Sequence, residues 1–164
     1  MFFSNEWEEF PRTYKWKDAI NFIKERNMQT DNIKEILRIL INEGNMIEDE
    51  ALTVAVLESC LEENKTSIEE LSIMYGEKVA KAVELIIRKT EETFENYIER
   101  VFNINEFKYI RKIIVAKQIY NLRKKDVNDE IIMNANKVLK YKECTHRELM
   151  KKLEEEVESK IQGG

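Results

Sequence analysis

The stretch Asp49-Glu50-Ala51-Leu52-Thr53-Val54-Ala55-Val56-Leu57-Glu58-Ser59-Cys60-Leu61-Glu62-Glu63 decides the architecture. Its apolar side chains fall on nearly every side of a 3.6-residue turn, so as a helix it must sit in the middle of other helices. Glu58 is the one charge inside that run, with Glu62 one turn on and Glu63 beside it. A carboxylate in such a place is costly unless paired.

Outward from this segment the pattern stays helical. Upstream, Trp16 to Asn27 carries Ala19, Ile20, Phe22 and Ile23 on one side, and a second helix after Asp31 aligns Ile33, Ile36, Leu37, Leu40 and Ile41 before Gly44 stops it. Downstream, Thr66-Ser67-Ile68-Glu69 reads as a capping box opening a short helix that ends near Gly76. Val79, Val83, Ile86 and Ile87 mark a fifth helix closing near Thr90, followed by a polar stretch leading into Tyr97, Ile98 and Val101. A longer helix is expected from Asn105 or Glu106 to Arg123, then two more over Asp129 to Tyr141 and His146 to Ile161. The last carries Glu154, Glu155, Glu156 and Glu158, read as a solvated face. No segment reads as a strand, no linker divides the chain and no repeat is visible, so residues 1–164 are expected to form one all-α domain.

Composition supports this. The chain has 164 residues, 43% hydrophobic and 36% charged, with one Pro and four Gly, too little punctuation for short strands and tight turns. A net charge of −5 with interspersed signs argues against nucleic acid as a partner. No apolar run approaches a membrane span, and Glu6, Glu8 and Glu9 stand where a secretory signal needs bases, so a cytoplasmic protein is expected. Cys60 and Cys144 read as buried free thiols. With a single His and two Cys the chain lacks the ligands of a structural zinc site. His146 follows Thr145 and precedes Glu148, so Thr145-His146-Arg147-Glu148 reads as a second capping box with His146 exposed in the first turn.

In the later helix Ile110, Ile113, Lys117 and Asn121 follow at three- and four-residue steps, which extends a core-facing stripe into two polar residues. Both are expected to face inward. The alternative keeps Glu58 at the surface and lets Lys117 snorkel to water along its apolar stem.

Several segments together resemble a known family. Val54-Ala55-Val56-Leu57-Glu58-Ser59-Cys60-Leu61-Glu62-Glu63-Asn64 is similar to A-A-L-L-H-D-V-V-E-D-T of the HD domains in RelA/SpoT-type alarmone hydrolases. In order and spacing, Thr66 to Leu71, Tyr75 to Ala80, Val83 and Lys89-Thr90 resemble T-x-E-E-I, F-G-x-x-V-A, V and T-K. Ile114 to Arg123 resembles K-L-A-D-R-L-H-N-L-R, while Ala19, Phe22 and Asn27 resemble A-x-x-F-A-x-x-x-H and Asn32 with Ile36 resembles H-P-x-x-V. The likeness covers about residues 18–125 and leaves the helices over about 129–161 outside it.

The resemblance implies a helical HD-type bundle whose relatives remove a pyrophosphate from (p)ppGpp with Mn²⁺ held by two His and two Asp. Those ligand positions here carry Asn32, Glu58, Ser59 and Lys117, a set that does not hold the ion in the family manner. Glu62 and Glu63 keep the acidic pair of the E-D positions, and Asn121 with Arg123 keeps the end of N-L-R. We expect Lys117 to pair with Glu58, an internal cation where the metal would lie. Three functions follow as expectations: a silent HD-type module for a protein partner or for self-association, without a cofactor; a sensor of a guanine nucleotide using Arg123, Lys124 and Lys125 for phosphates; or a residual Mn²⁺-dependent phosphohydrolase working with Glu58, Glu62 and Glu63.

Overall fold

In the computed structural model, residues 15–163 are described, so Glu6, Glu8 and Glu9 lie outside the described residues. The chain is all-α, with no strand among the described residues. The helices are α1 (Lys15–Glu25), α2 (Asp31–Arg38), α3 (Asp49–Glu62), α4 (Ile68–Tyr75), α5 (Glu77–Ile86), α6 (Phe94–Phe102), α7 (Tyr109–Arg123), α8 (Asp129–Leu139) and α9 (Arg147–Gly163). A π-helical turn, Ile39–Glu43, extends α2.

Two helices organise the packing. In α3 every residue from Ala51 to Glu58 is buried, and α1, α2, α5 and α7 pack around it. In α7 Ile113, Ile114, Val115 and Ala116 are buried in succession. Four consecutive residues cover a full turn, so α7 is enclosed at its middle rather than buried along one stripe as its spacing suggests. Its neighbours are α2 with the π-helical turn, α3, α5, α6, α8 and α9. Satellite helices show the usual one-sided pattern, as in α1, which buries Trp16, Ala19, Ile20, Phe22 and Ile23.

The turn at Ile39–Glu43 holds one extra residue, with the Gly44 N–H donating to the Ile39 carbonyl at 3.0 Å. A Cβ on Gly44 would lie 2.8 Å from the Leu40 carbonyl oxygen, which explains why glycine stands there. Asp49 ties two helices together, its carboxylate accepting from the N–H groups of Lys15 and Trp16 at 3.2 and 3.1 Å while it opens α3. Free N–H groups of α1 are thus satisfied from another helix.

Both expected capping boxes shift by one residue. Ser67, not Thr66, caps α4, its Oγ accepting from the Glu70 N–H at 3.1 Å, while the Thr66 hydroxyl donates to the Glu70 carboxylate. At α9 the cap is His146, whose Nδ1 accepts from the Leu149 N–H at 3.1 Å. The imidazole is part-buried rather than exposed. Burial and the nearby Lys112 charge lower its pKa, against a smaller pull from Glu148. Cys60 is buried as expected, its thiol pushed up to about 11 by burial, but Cys144 is exposed.

The polar stretch after α5 folds into an organised corner. Helix α5 ends at Ile86, ahead of Thr90, and α6 begins at Phe94, capped by Thr93. Arg100 of α6 reaches back and donates to the carbonyls of Leu85 and Ile87 at 2.7 and 3.0 Å, while the Tyr97 hydroxyl donates to Ile86 at 2.5 Å. The guanidinium also forks onto Glu92 at 2.6 and 2.9 Å. The last carbonyls of α5 are therefore satisfied by side chains of α6, which local periodicity does not reveal. Helix α7 starts at Tyr109, later than Asn105 or Glu106, because Phe107 adopts a positive φ of 50° that breaks a helical path.

Arg100 hydrogen-bonded to Glu92 holds that carboxyl down to about 2 from an ordinary 4.5. Its contribution is complete above 4.5 and is lost as pH falls towards 2. Arg100→Ala should lower unfolding free energy by about 2–3 kcal/mol in urea titrations at pH 7, with the deficit shrinking over that acid range. His146→Ala should cost about 1 kcal/mol at pH 7. Because the folded His146 pKa is lowered, its contribution is present above the ordinary 6.5 and fades as pH falls. The same urea series at pH 5.5 and above checks this: a constant deficit across pH would refute the cap.

Candidate functional site

Spacing along three helices builds one cleft. On α3, Ala55, Glu58, Ser59 and Glu62 follow at helical steps, and on α7 Lys117, Tyr120 and Asn121 do the same, with Lys124 just past its end. Asn32, Ile33 and Ile36 of α2 close the third side, and Glu63 stands at the rim. The cavity they line holds about 180 Å³. Of the residues singled out from sequence, Asn32, Glu58, Ser59, Glu62, Glu63, Lys117 and Asn121 all face it. Tyr120, Ile33 and Ile36 line it as well and were not singled out for the site; the step of three from Lys117 is the signal that finds Tyr120.

Glu58 and Lys117 meet at the floor. The Lys117 ammonium donates to a Glu58 oxygen in an ion pair, and a Glu62 oxygen lies 3.8 Å from the same nitrogen. Lys117 faces inward, and its side chain stays 29% exposed while that of Glu58 is only 5% exposed. The asymmetry matters, since the Lys117 stem keeps some exposure and can swing towards water, whereas the Glu58 carboxylate is enclosed. Burial pushes the Glu58 carboxyl up, with the Lys117 charge pulling the other way. Burial likewise opposes the charge on Lys117, yet the carboxylates of Glu58 and Glu62 hold its pKa above the ordinary lysine value.

Arg123 does not join this cleft. Its guanidinium forks onto Glu43 at 2.7 and 2.9 Å and donates to Glu156 at 2.7 Å, fastening α7 to the π-helical turn and to α9. The bonds from Arg123 hold the Glu43 carboxyl below its usual range, so both partners stay charged. Arg123 lines a neighbouring cavity of about 290 Å³ with Glu35, Arg38, Tyr120 and Lys124. Lys125 lies in another groove beside Val127 and Asp129, and Lys124 sits over the Tyr120 ring at 4.7 Å between the two cavities. The three cations Arg123, Lys124 and Lys125 therefore do not converge on one point. Glu156 of the acidic C-terminal run is half-buried against Arg123 rather than fully solvated.

As a seat for a divalent ion, the four positions Asn32, Glu58, Ser59 and Lys117 do not fit. Glu58 supplies the one carboxylate among them and spends it on an ammonium group. That fixed positive charge repels a second cation at the same place. His146 stands at the start of α9, far from these ligands in sequence and not among the residues of the cleft.

Breaking one side of this pair exposes the asymmetry. Lys117→Ala should cost about 3 kcal/mol at pH 7, the low end for a severed buried pair, and more than Glu58→Gln, which leaves an ammonium able to reach water. A folded carboxyl with a raised pKa contributes fully below its ordinary value and loses that contribution as pH rises through the folded one. The Lys117→Ala deficit should therefore shrink as pH is lowered from 7 towards the ordinary 4.5, as the unpaired Glu58 takes up a proton. Glu58→Leu combined with Lys117→Met should recover most of the loss. Urea denaturation of the three variants measures all of this, and an unchanged Lys117→Ala protein would disprove a structural pair.

Compared with known proteins, the chain matches no family model, no curated protein and no solved structure.

Proposed function

We propose that the chain is a catalytically silent binding or regulatory module of the HD-domain type, in which the Lys117 ammonium has taken the place of the relatives' metal ion. One observation carries this reading: Lys117 pairs with Glu58 inside the cleft that also gathers Asn32, Ser59, Glu62, Glu63 and Asn121. Residues that are distant in sequence and match the family's site positions in order line one cavity. The group at its floor is a tethered cation, which requires no metal to bridge α3 and α7. Its partner would be another protein or a second copy of the chain. Two unbridged cysteines fit a reducing compartment, which supports a cytoplasmic setting. No helix of the described residues is long and apolar enough to cross a membrane.

The sensor of a guanine nucleotide has less support. A cavity of about 180 Å³ is smaller than the roughly 300–1,000 Å³ of ordinary small-molecule pockets, and Glu62 and Glu63 face an incoming polyphosphate with negative charge. Residual hydrolysis has less again, because it needs Glu58 released from Lys117.

Calorimetry with Mn²⁺ and then guanosine tetraphosphate tests the assignment. Heat from neither is expected. Nucleotide binding without metal would replace this reading with the sensor, and metal binding with phosphate release would replace it with a hydrolase.

A further inference from the structure

One end of α7 runs against the usual distribution of charge along a helix. Lys108 stands at its N-cap and Arg111 with Lys112 in its first turn, which holds no acid, so three cations gather where the helix dipole already places positive charge. Their donors go to backbone carbonyls: Arg111 bonds Cys144 and Ile104 at 2.6 and 2.8 Å, and Lys112 bonds Gly44 at 3.1 Å. Among the described residues no carboxylate pairs with any of the three. The cavity they line holds about 440 Å³ and has one carboxylate in its wall, Glu48. The opposite sign gathers on α6. Glu95 and Glu99 lie exposed there one turn apart, an arrangement that repels itself, and neither has an ion pair among the described residues.

One short segment joins the two patches. The Tyr141 ring stacks on Phe102 of α6 at 5.2 Å, and burial, followed by the Glu99 and Glu95 charges, pushes its hydroxyl pKa up. Further along, the Cys144 carbonyl takes the Arg111 bond, and the Cys144 thiol is exposed. Acids and bases thus flank residues 141–144 on one surface, with no ion pair between them in the one chain. This surface shares no residue with the cleft of Glu58 and Lys117.

A face that carries both signs side by side is complementary to its own copy turned about a two-fold axis, because each patch then meets its opposite. A purely acidic or purely basic partner would satisfy only half of it. We propose that two copies of the chain dock through this face, Glu95 and Glu99 of one against Lys108, Arg111 and Lys112 of the other. The second copy is thereby the partner of the binding module described above, and to that extent the inference rests on that reading. The axis passes between the patches, which brings the two Cys144 thiols near each other.

Sedimentation velocity of the full chain at about 100 μM tests the docking, above the micromolar affinity at which modest interfaces begin. Runs at about 0.01 M and about 1 M salt compare Debye lengths of about 30 Å and about 3 Å. A dimer at low salt and a monomer at high salt are expected. Glu99→Lys and Lys108→Glu, both at exposed positions, should each weaken the dimer about tenfold or more by setting like charges in contact, and the two together should restore it. A short bismaleimide should join two chains through Cys144 and give no such product with Cys144→Ser, since Cys60 is buried. A monomer at low salt, which leaves the face to a different protein, overturns the proposal. So does a dimer indifferent to salt, or a double charge reversal that fails to restore association. Mn²⁺ calorimetry on the same sample keeps the two claims apart: a monomer silent to Mn²⁺ loses the docking face alone, whereas a dimer that takes up Mn²⁺ keeps the face and discards the non-catalytic reading.

Discussion

The ion pair between Glu58 and Lys117 fixes how the two most enclosed helices face each other. Helix α3 is buried along Ala51 to Glu58 and α7 is enclosed around Ile113 to Ala116, so a charge on either has few places to go. Removing a carboxylate from water costs several kcal/mol, recovered only by a partner of opposite charge in good geometry. The rotation that the buried Ile110, Ile113, Ile114 and Leu122 give α7 meets that requirement. Once Lys117 points at α3, the next residues on that face, Tyr120, Asn121 and Lys124, line the same cleft, and Arg123 is turned aside towards Glu43 and Glu156.

Other ties between elements follow the same logic of satisfying groups that helices leave open. Asp49 serves the N-terminus of α1, Arg100 and Tyr97 serve the C-terminus of α5, and Lys112 donates to the Gly44 carbonyl after the π-helical turn. Each joins residues far apart in sequence or across a corner. Bonds to charged groups are worth more than neutral ones, so these few contacts weigh heavily in how the helices are held.

Local reasoning was least accurate at the helix ends. Thr66 and Ser67 both suit a cap, and the backbone alone decides which hydroxyl faces the Glu70 N–H. At Thr145-His146 the imidazole wins because Leu149 and Met150 must turn into the core, which advances the helix start by one residue. The fork of Arg100 onto Glu92 was invisible for a different reason: its value depends on where α5 stops, and that depends on α6.

The sequence alone determined the all-α class, most helix positions and the burial of α3, because hydrophobic periodicity acts on neighbouring residues and needs no coordinates; the pairing of Glu58 with Lys117 was an expectation drawn from the resemblance, and only the meeting of α3 and α7 brings the two together. Tertiary structure decided the rest: which candidates share the cleft, that Arg123 is spent elsewhere, and how small the cavity is. Those are questions of distance between helices, and distance is set by the summed packing of side chains scattered along the whole chain.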